Sequence, residues 1–162
     1  MIDRFRAWYE YERDSHTKVL AELQSVPADR RGEPECRKAV SIFAHLIVCR
    51  RLWLHRLGML DEGPHDLFPK EVSLDTLAAW QREVDELWTR RLGEWTDADL
   101  ATPFEYAAFE GKRYRNTIEE ILTQLFGHSW YHRGQIAMLV KQSGGKPVET
   151  DFVYFSRWPC SD

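Results

Sequence analysis

No apolar run in this 162-residue chain approaches the ~20 residues that a bilayer-spanning helix needs, so the sequence offers no membrane anchor. Charge of one sign is also missing. Lysine and arginine number 22 against 26 aspartates and glutamates, a net charge of −4, which leaves no basic footprint for phosphates and argues against nucleic acid or anionic lipid as the main partner. Cysteine is scarce: Cys36, Cys49 and Cys160 are odd in number and contain no C-x-x-C pair. A disulfide scaffold is thereby excluded, and a reducing compartment is implied. There is no internal repeat, no low-complexity segment and no linker to divide the chain, so residues 1–162 are expected to form one domain. The charged, amphipathic start Met1-Ile-Asp-Arg-Phe-Arg does not resemble a secretion signal, and a cytoplasmic protein is expected.

What the chain does have is helical periodicity and large rings, including seven tryptophans. Apolar positions recur at helical spacing over four long stretches. The first runs from about Asp3 to Ser25 with the stripe Phe5, Trp8, Tyr9, Glu12, His16, Val19, Leu20 and Leu23, and Pro27 and Gly32 mark its end. The second runs from about Glu35 to Leu57 and closes at Gly58. After a Gly/Pro-containing loop over 61–69, Ser73 can cap a third helix that carries Leu77, Trp80, Val84, Leu87, Trp88 and Leu92 and ends near Gly93. The alternating aromatic stretch Thr102–Arg115, broken at Glu110-Gly111, suggests a short β-hairpin. Asn116 or Thr117 caps a fourth helix that stops at Ser143-Gly144-Gly145, and the tail beyond Pro147 reads as extended. The expected class is all-α, with a hairpin or extended excursion before the last helix.

Three histidines fall on the inward stripes. His45 lies with Ile42, Leu46, Cys49, Leu52 and Trp53 on the second helix, and His128 and His132 lie with Leu125, Ser129, Gln135 and Ile136 on the fourth. A turn and a little more of helix separates residues i and i+4, so two imidazoles so spaced can converge on one ion. For a single histidine a hydrogen bond to a neighbour explains burial well enough. Three on facing stripes point to a divalent metal. Cys49, one turn after His45, is either a fourth ligand in a closed site or a small packing residue, and His16 is a second contender for that place. Ser129 stands where an H-E-x-x-H motif has its glutamate, which argues against zincin-type peptide hydrolysis.

The remaining polar residues sort less sharply. Gln135, Glu12 and His16 face inward and can orient ligands, although Glu12 and His16 can also form a private i, i+4 pair. Arg133 reads as an outward, salt-bridged or solvated arginine ahead of a contact for an anionic substrate group, and Gly134 as a place where another backbone or a bound molecule comes close. His55 and His65 read as helix-end and loop residues without a site role, and Trp53, Trp80 and Trp88 as core.

The run Gly127-His-Ser-Trp-Tyr-His-Arg-Gly-Gln-Ile136 resembles the DinB-like (DinB/YfiT) superfamily. So do the Ala-His-Leu segment followed by Arg51-Leu-Trp, the glycine-centred hairpin, and the terminal Gly-Gly-x-Pro with Asp151 and aromatics. The resemblance implies a four-helix bundle in an up-up-down-down arrangement, often a homodimer, with His45, His128 and His132 on a divalent metal. One departure is Gln124, where many relatives have a further histidine. Imidazole suits several ions: zinc or nickel is expected first, with iron or manganese as alternatives. Three imidazoles leave coordination positions open, the layout of a catalytic site. The resemblance accordingly implies a small-molecule transferase, isomerase or hydrolase, in some relatives dependent on a low-molecular-weight thiol. A non-catalytic metal- or ligand-binding stress or regulatory bundle is the alternative.

Overall fold

The structure, a computed structural model, describes residues 1–160. Four long helices make the bundle: α1 (Ile2–Gln24), α2 (Pro34–Arg56), α3 (Leu74–Glu94) and, after two shorter interruptions, α5 (Ile118–Gln142). The interruptions are a single-turn helix α4 (Asp97–Leu100) and an antiparallel hairpin of β1 (Pro103–Ala107) and β2 (Arg113–Thr117). Each boundary has a chemical cause. Ser73 Oγ accepts the Thr76 N–H at 3.0 Å at the start of α3, and Thr117 with Glu120 closes a reciprocal capping box on α5. Thr96 and Asp99 form a second such box on α4, a turn of helix too short for periodicity to announce. Gly111 sits at φ 83° in the hairpin turn, a conformation that a side chain would strain.

The apolar stripes meet in one core that includes Phe43, Trp88, Phe126, Leu46, Leu122 and Ile136, all fully buried. Trp88 illustrates how rings and polar edges are reconciled: its indole N–H donates to the Arg50 carbonyl at 3.3 Å while the ring itself is buried within the apolar core. Trp53 and Trp80 pack against the core but remain partly exposed.

Helix directions depart from the up-up-down-down expectation. Arg6 reaches the Leu92 carbonyl and Tyr9 the Val84 carbonyl, so α1 and α3 run antiparallel. Arg50 meets Trp88, and Arg91 reaches the Leu57 carbonyl, so α2 and α3 run parallel. Phe5 stacks on Phe126, whereas Arg133 meets Tyr11 further along, so α1 and α5 also run parallel. The arrangement is up-down-down-up. The physical reason lies in the connections: the short α1–α2 link permits only a reversal, whereas the stretch 57–73, at about 3.3 Å per residue, outreaches the roughly 32 Å of α3 and returns the chain to the other end. That return segment runs along α2 and therefore covers its histidine.

The tail also differs from expectation. Instead of remaining extended it forms a short helix α6 (Phe152–Ser156), and Phe152 and Phe155 lie 5.1 and 5.6 Å from the Tyr11 ring. Ring contacts with Tyr11 of α1 supply what the local sequence does not signal, although Phe152 and Phe155 stay exposed.

Candidate metal centre

Helices α2 and α5 pack face to face, and their inward stripes carry His45, His128 and His132 to one place. Ring centroids are 5.0 Å apart for His45 and His128, 5.2 Å for His45 and His132, and 4.5 Å for His128 and His132. His45 Nε2 and His128 Nε2 are separated by 3.1 Å. Two nitrogens each at about 2.0–2.1 Å from a tetrahedral ion would be roughly this far apart. The tightest group is His45, Cys49 and His128, whose ligand atoms all lie within 4.8 Å of one another. The His132 ring stands beside that group.

Tautomers are set by carbonyl oxygens. His45 Nδ1 donates to the Leu67 carbonyl at 2.7 Å, and His132 Nδ1 donates to Gln135 Oε1 at 2.7 Å. An acceptor on Nδ1 keeps its proton there and leaves the lone pair on Nε2, the form in which imidazole binds a cation. Gln135 thus takes the orienting role that its stripe position suggests. Leu67 belongs to the return loop, and its neighbour Phe68 stacks on His45 at 4.0 Å with ring planes 5° apart. No sequence pattern points to either loop residue, because the contact depends on how the 57–73 segment folds back.

Electrostatics favour neutral rings. Burial lowers the pKa of His45, and burial together with the neighbouring His132 and His45 brings that of His128 down to about 4. Neutral imidazoles are ready to coordinate at ordinary pH. Cys49 Sγ lies 3.6 Å from His45 Nε2, but burial pushes its thiol up to about 11, so the side chain holds its proton unless a cation displaces it.

Behind the histidines lies a buried polar cluster that the sequence reveals only in part. Glu12 pairs with Arg50 and accepts from Ser129 Oγ at 3.0 Å. Its 3.7 Å approach to His16 is a secondary contact, not the private pair. Arg50 is 2 % exposed, with its guanidinium 5.0 to 5.6 Å from the rings of Phe126, Tyr9 and Trp88. Nothing in the spacing singles out Arg50, which adjoins Arg51 in sequence and looks solvated. Arg133 is buried, not outward as its sequence suggests: it is 4 % exposed, donates to the Tyr11 hydroxyl and lies over that ring, because one residue beyond His132 the helix surface has turned towards α1. His16 packs edge-on against Phe43 and is not among the tight ligand group. Gly134 is exposed, and an added Cβ there would meet nothing within 4 Å, so no close approach within the described residues explains it.

A bundle of this shape, closed by a hairpin and gathering histidines from α2 and α5, defines a class of helical proteins with a candidate metal centre. The chain belongs to the DinB family, whose model matches residues 1–160. It is similar to a DinB-like protein from Bacillus cereus ATCC 10987, solved by crystallography at 2.01 Å, with a TM-score of 0.67 and 26% identity. That match covers 90% of this chain and 94% of the other. Comparison with curated proteins finds no match. Among the described residues no helix is long and apolar enough to cross a membrane.

Proposed function

We propose that this protein is a divalent-metal-dependent enzyme for a small molecule, with His45, His128 and His132 as ligands and zinc or nickel as the ion. The observation that carries the reading is the pair of fixed tautomers: Leu67 and Gln135 each hold an Nδ1 proton and leave an Nε2 lone pair, on rings whose centroids lie 5.2 Å apart. A divalent ion held by three neutral imidazoles acts as a Lewis acid with open positions, able to polarise a carbonyl or favour the thiolate of an incoming thiol. Donor chemistry fits such an ion. The chain's own residues orient the imidazoles through Leu67 and Gln135, exclude water from His45 through Phe68, and leave His128 and His132 half-buried on the open side. The reaction class is transfer, isomerisation or hydrolysis, with a low-molecular-weight thiol as the candidate co-substrate, in a cytoplasmic homodimer.

Cys49 supports the second reading, a closed site in a non-catalytic binding or regulatory bundle, because its sulfur belongs to the tight group. Cobalt substitution separates the two. A sulfur-to-cobalt charge-transfer band that appears only after a small thiol is added supports the enzyme; the same band in the resting protein supports the closed site.

A further inference from the structure

His45, Cys49, Leu52 and Arg56 follow one another along a single face of α2, at offsets of four, seven and eleven residues. Beyond Cys49 that face becomes the floor of a groove of about 570 Å³, walled on one side by the return loop at Gly63–His65 and on the other by β1 and the residues after it. The walls are mixed, with the rings of Phe104, Tyr106 and Phe109 supplying apolar surface beside the polar edges of His55, His65 and Glu105. At the far end sits a guanidinium fixed in place: Arg56 lies 4.6 Å from the Trp53 ring and 4.7 Å from the Tyr106 ring, and donates from Nη2 to the Ala107 carbonyl at 2.8 Å.

That arginine is built as a receptor. Its charge is held between two aromatic faces, which removes the flexibility an exposed arginine would lose on binding. Among the described residues Arg56 forms no ion pair, and Glu105, the carboxylate bordering the groove, is already engaged by Arg113 at 2.7 Å. The loop wall is fitted as closely: a Cβ on Gly63 would come within 2.8 Å of the His55 ring, so glycine lets the chain pass directly over it. His55 in turn donates from Nδ1 to the Leu60 carbonyl at 3.0 Å, which fixes that wall.

We infer that this groove is the substrate channel of the histidine centre and that it takes an elongated organic anion, its carboxylate on Arg56, its apolar body between β1 and the loop, and its reacting end directed at Cys49 and the histidines. Seven residues of helix set the span from Arg56 to Cys49 at about 10 Å, the length of an aryl- or alkyl-carboxylate of modest size. The planar fork of arginine matches a carboxylate in a way that lysine does not. The directional part of this inference rests on the metal-enzyme reading above; the carboxylate site does not.

The test uses 4-phenylbutyrate and the uncharged 4-phenylbutan-1-ol as probes, titrated calorimetrically into the purified full-length protein. The acid is expected to bind more tightly than the alcohol. Arg56→Gln is expected to weaken the acid by roughly tenfold to a hundredfold, the loss typical of a charge-assisted contact, while leaving the alcohol unchanged. Arg56→Lys, which keeps the charge, is expected to restore only part of the affinity, and it replaces the Gln variant if that one does not fold. Equal affinity for acid and alcohol, no binding of the acid, or an acid affinity unaffected by Arg56→Gln would each overturn the proposal. A His128→Ala protein, measured alongside, keeps the outcomes apart: retained acid binding without metal uptake supports the groove whatever becomes of the metal assignment.

Discussion

His45 Nε2 faces His128 Nε2 across 3.1 Å, one from α2 and one from α5, and the proton of His45 is held on the opposite nitrogen by the Leu67 carbonyl. Two rings from helices far apart in sequence are thus presented to each other through nitrogens rather than through carbon edges. The 3.1 Å separation fits the shared cation proposed above, and that proposal makes the supporting residues testable.

Gln135 is the first of these. Its Oε1 accepts from His132 Nδ1 at 2.7 Å and does nothing else among the described hydrogen bonds. Gln135→Ala is expected to lower metal affinity by about 10–100-fold while leaving the melting temperature of the metal-free protein nearly unchanged. Competition with a chromophoric chelator measures the affinity; an unchanged value contradicts the orienting role.

Cys49 distinguishes open from closed coordination. With its thiol pushed up to about 11 by burial, Cys49→Ala is expected to retain metal with an affinity within about threefold of the parent. Loss of metal on this substitution would place the sulfur in the coordination sphere.

The buried pair Glu12–Arg50 should be unforgiving of single changes. Burial raises the Glu12 carboxyl and Arg50 opposes that shift, so Glu12→Leu leaves a guanidinium uncompensated in the core. The single variant is expected to lose roughly 3–5 kcal/mol in denaturant unfolding, and the double variant Glu12→Leu, Arg50→Met to recover much of it. Additive losses in the cycle would contradict the pairing.

Glu22 carries the clearest pH dependence. Its carboxyl is buried under the tail, accepts the Val148 N–H at 2.9 Å, and is raised by burial from 4.5 to about 7. The folded chain keeps a proton that the unfolded chain releases near pH 4.5, so stability falls as pH rises from there through about 7 and levels off above it. Glu22→Gln is expected to stabilise the protein by on the order of 1–3 kcal/mol at pH 8 and hardly at all at pH 4.5. A gain of equal size at both pH values would contradict the assignment.

The sequence disclosed those parts of the site whose signal is local. Periodicity put His45 on one stripe and His128 with His132 on another, and the caps at Ser73 and Thr117 followed from side-chain chemistry. It did not disclose Leu67 or Phe68, because an irregular loop has no period and its path along α2 is settled by tertiary packing. Arg50 and Arg133 were obscured for another reason. Arginine is usually solvated, and only the aromatic rings and Glu12, brought from three other helices, make burial tolerable. Helix direction was legible in principle from the length of the α2–α3 connection, yet the resemblance suggested the wrong order.

The most direct measurement is the metal content of the purified protein, stripped and then reloaded with zinc or nickel, beside a variant with His45, His128 and His132 all replaced by alanine. Roughly one equivalent per chain is expected for the parent, as for a three-imidazole site, and none for the variant. A correctly folded parent that takes up neither ion, or a variant that takes up as much as the parent, would contradict it.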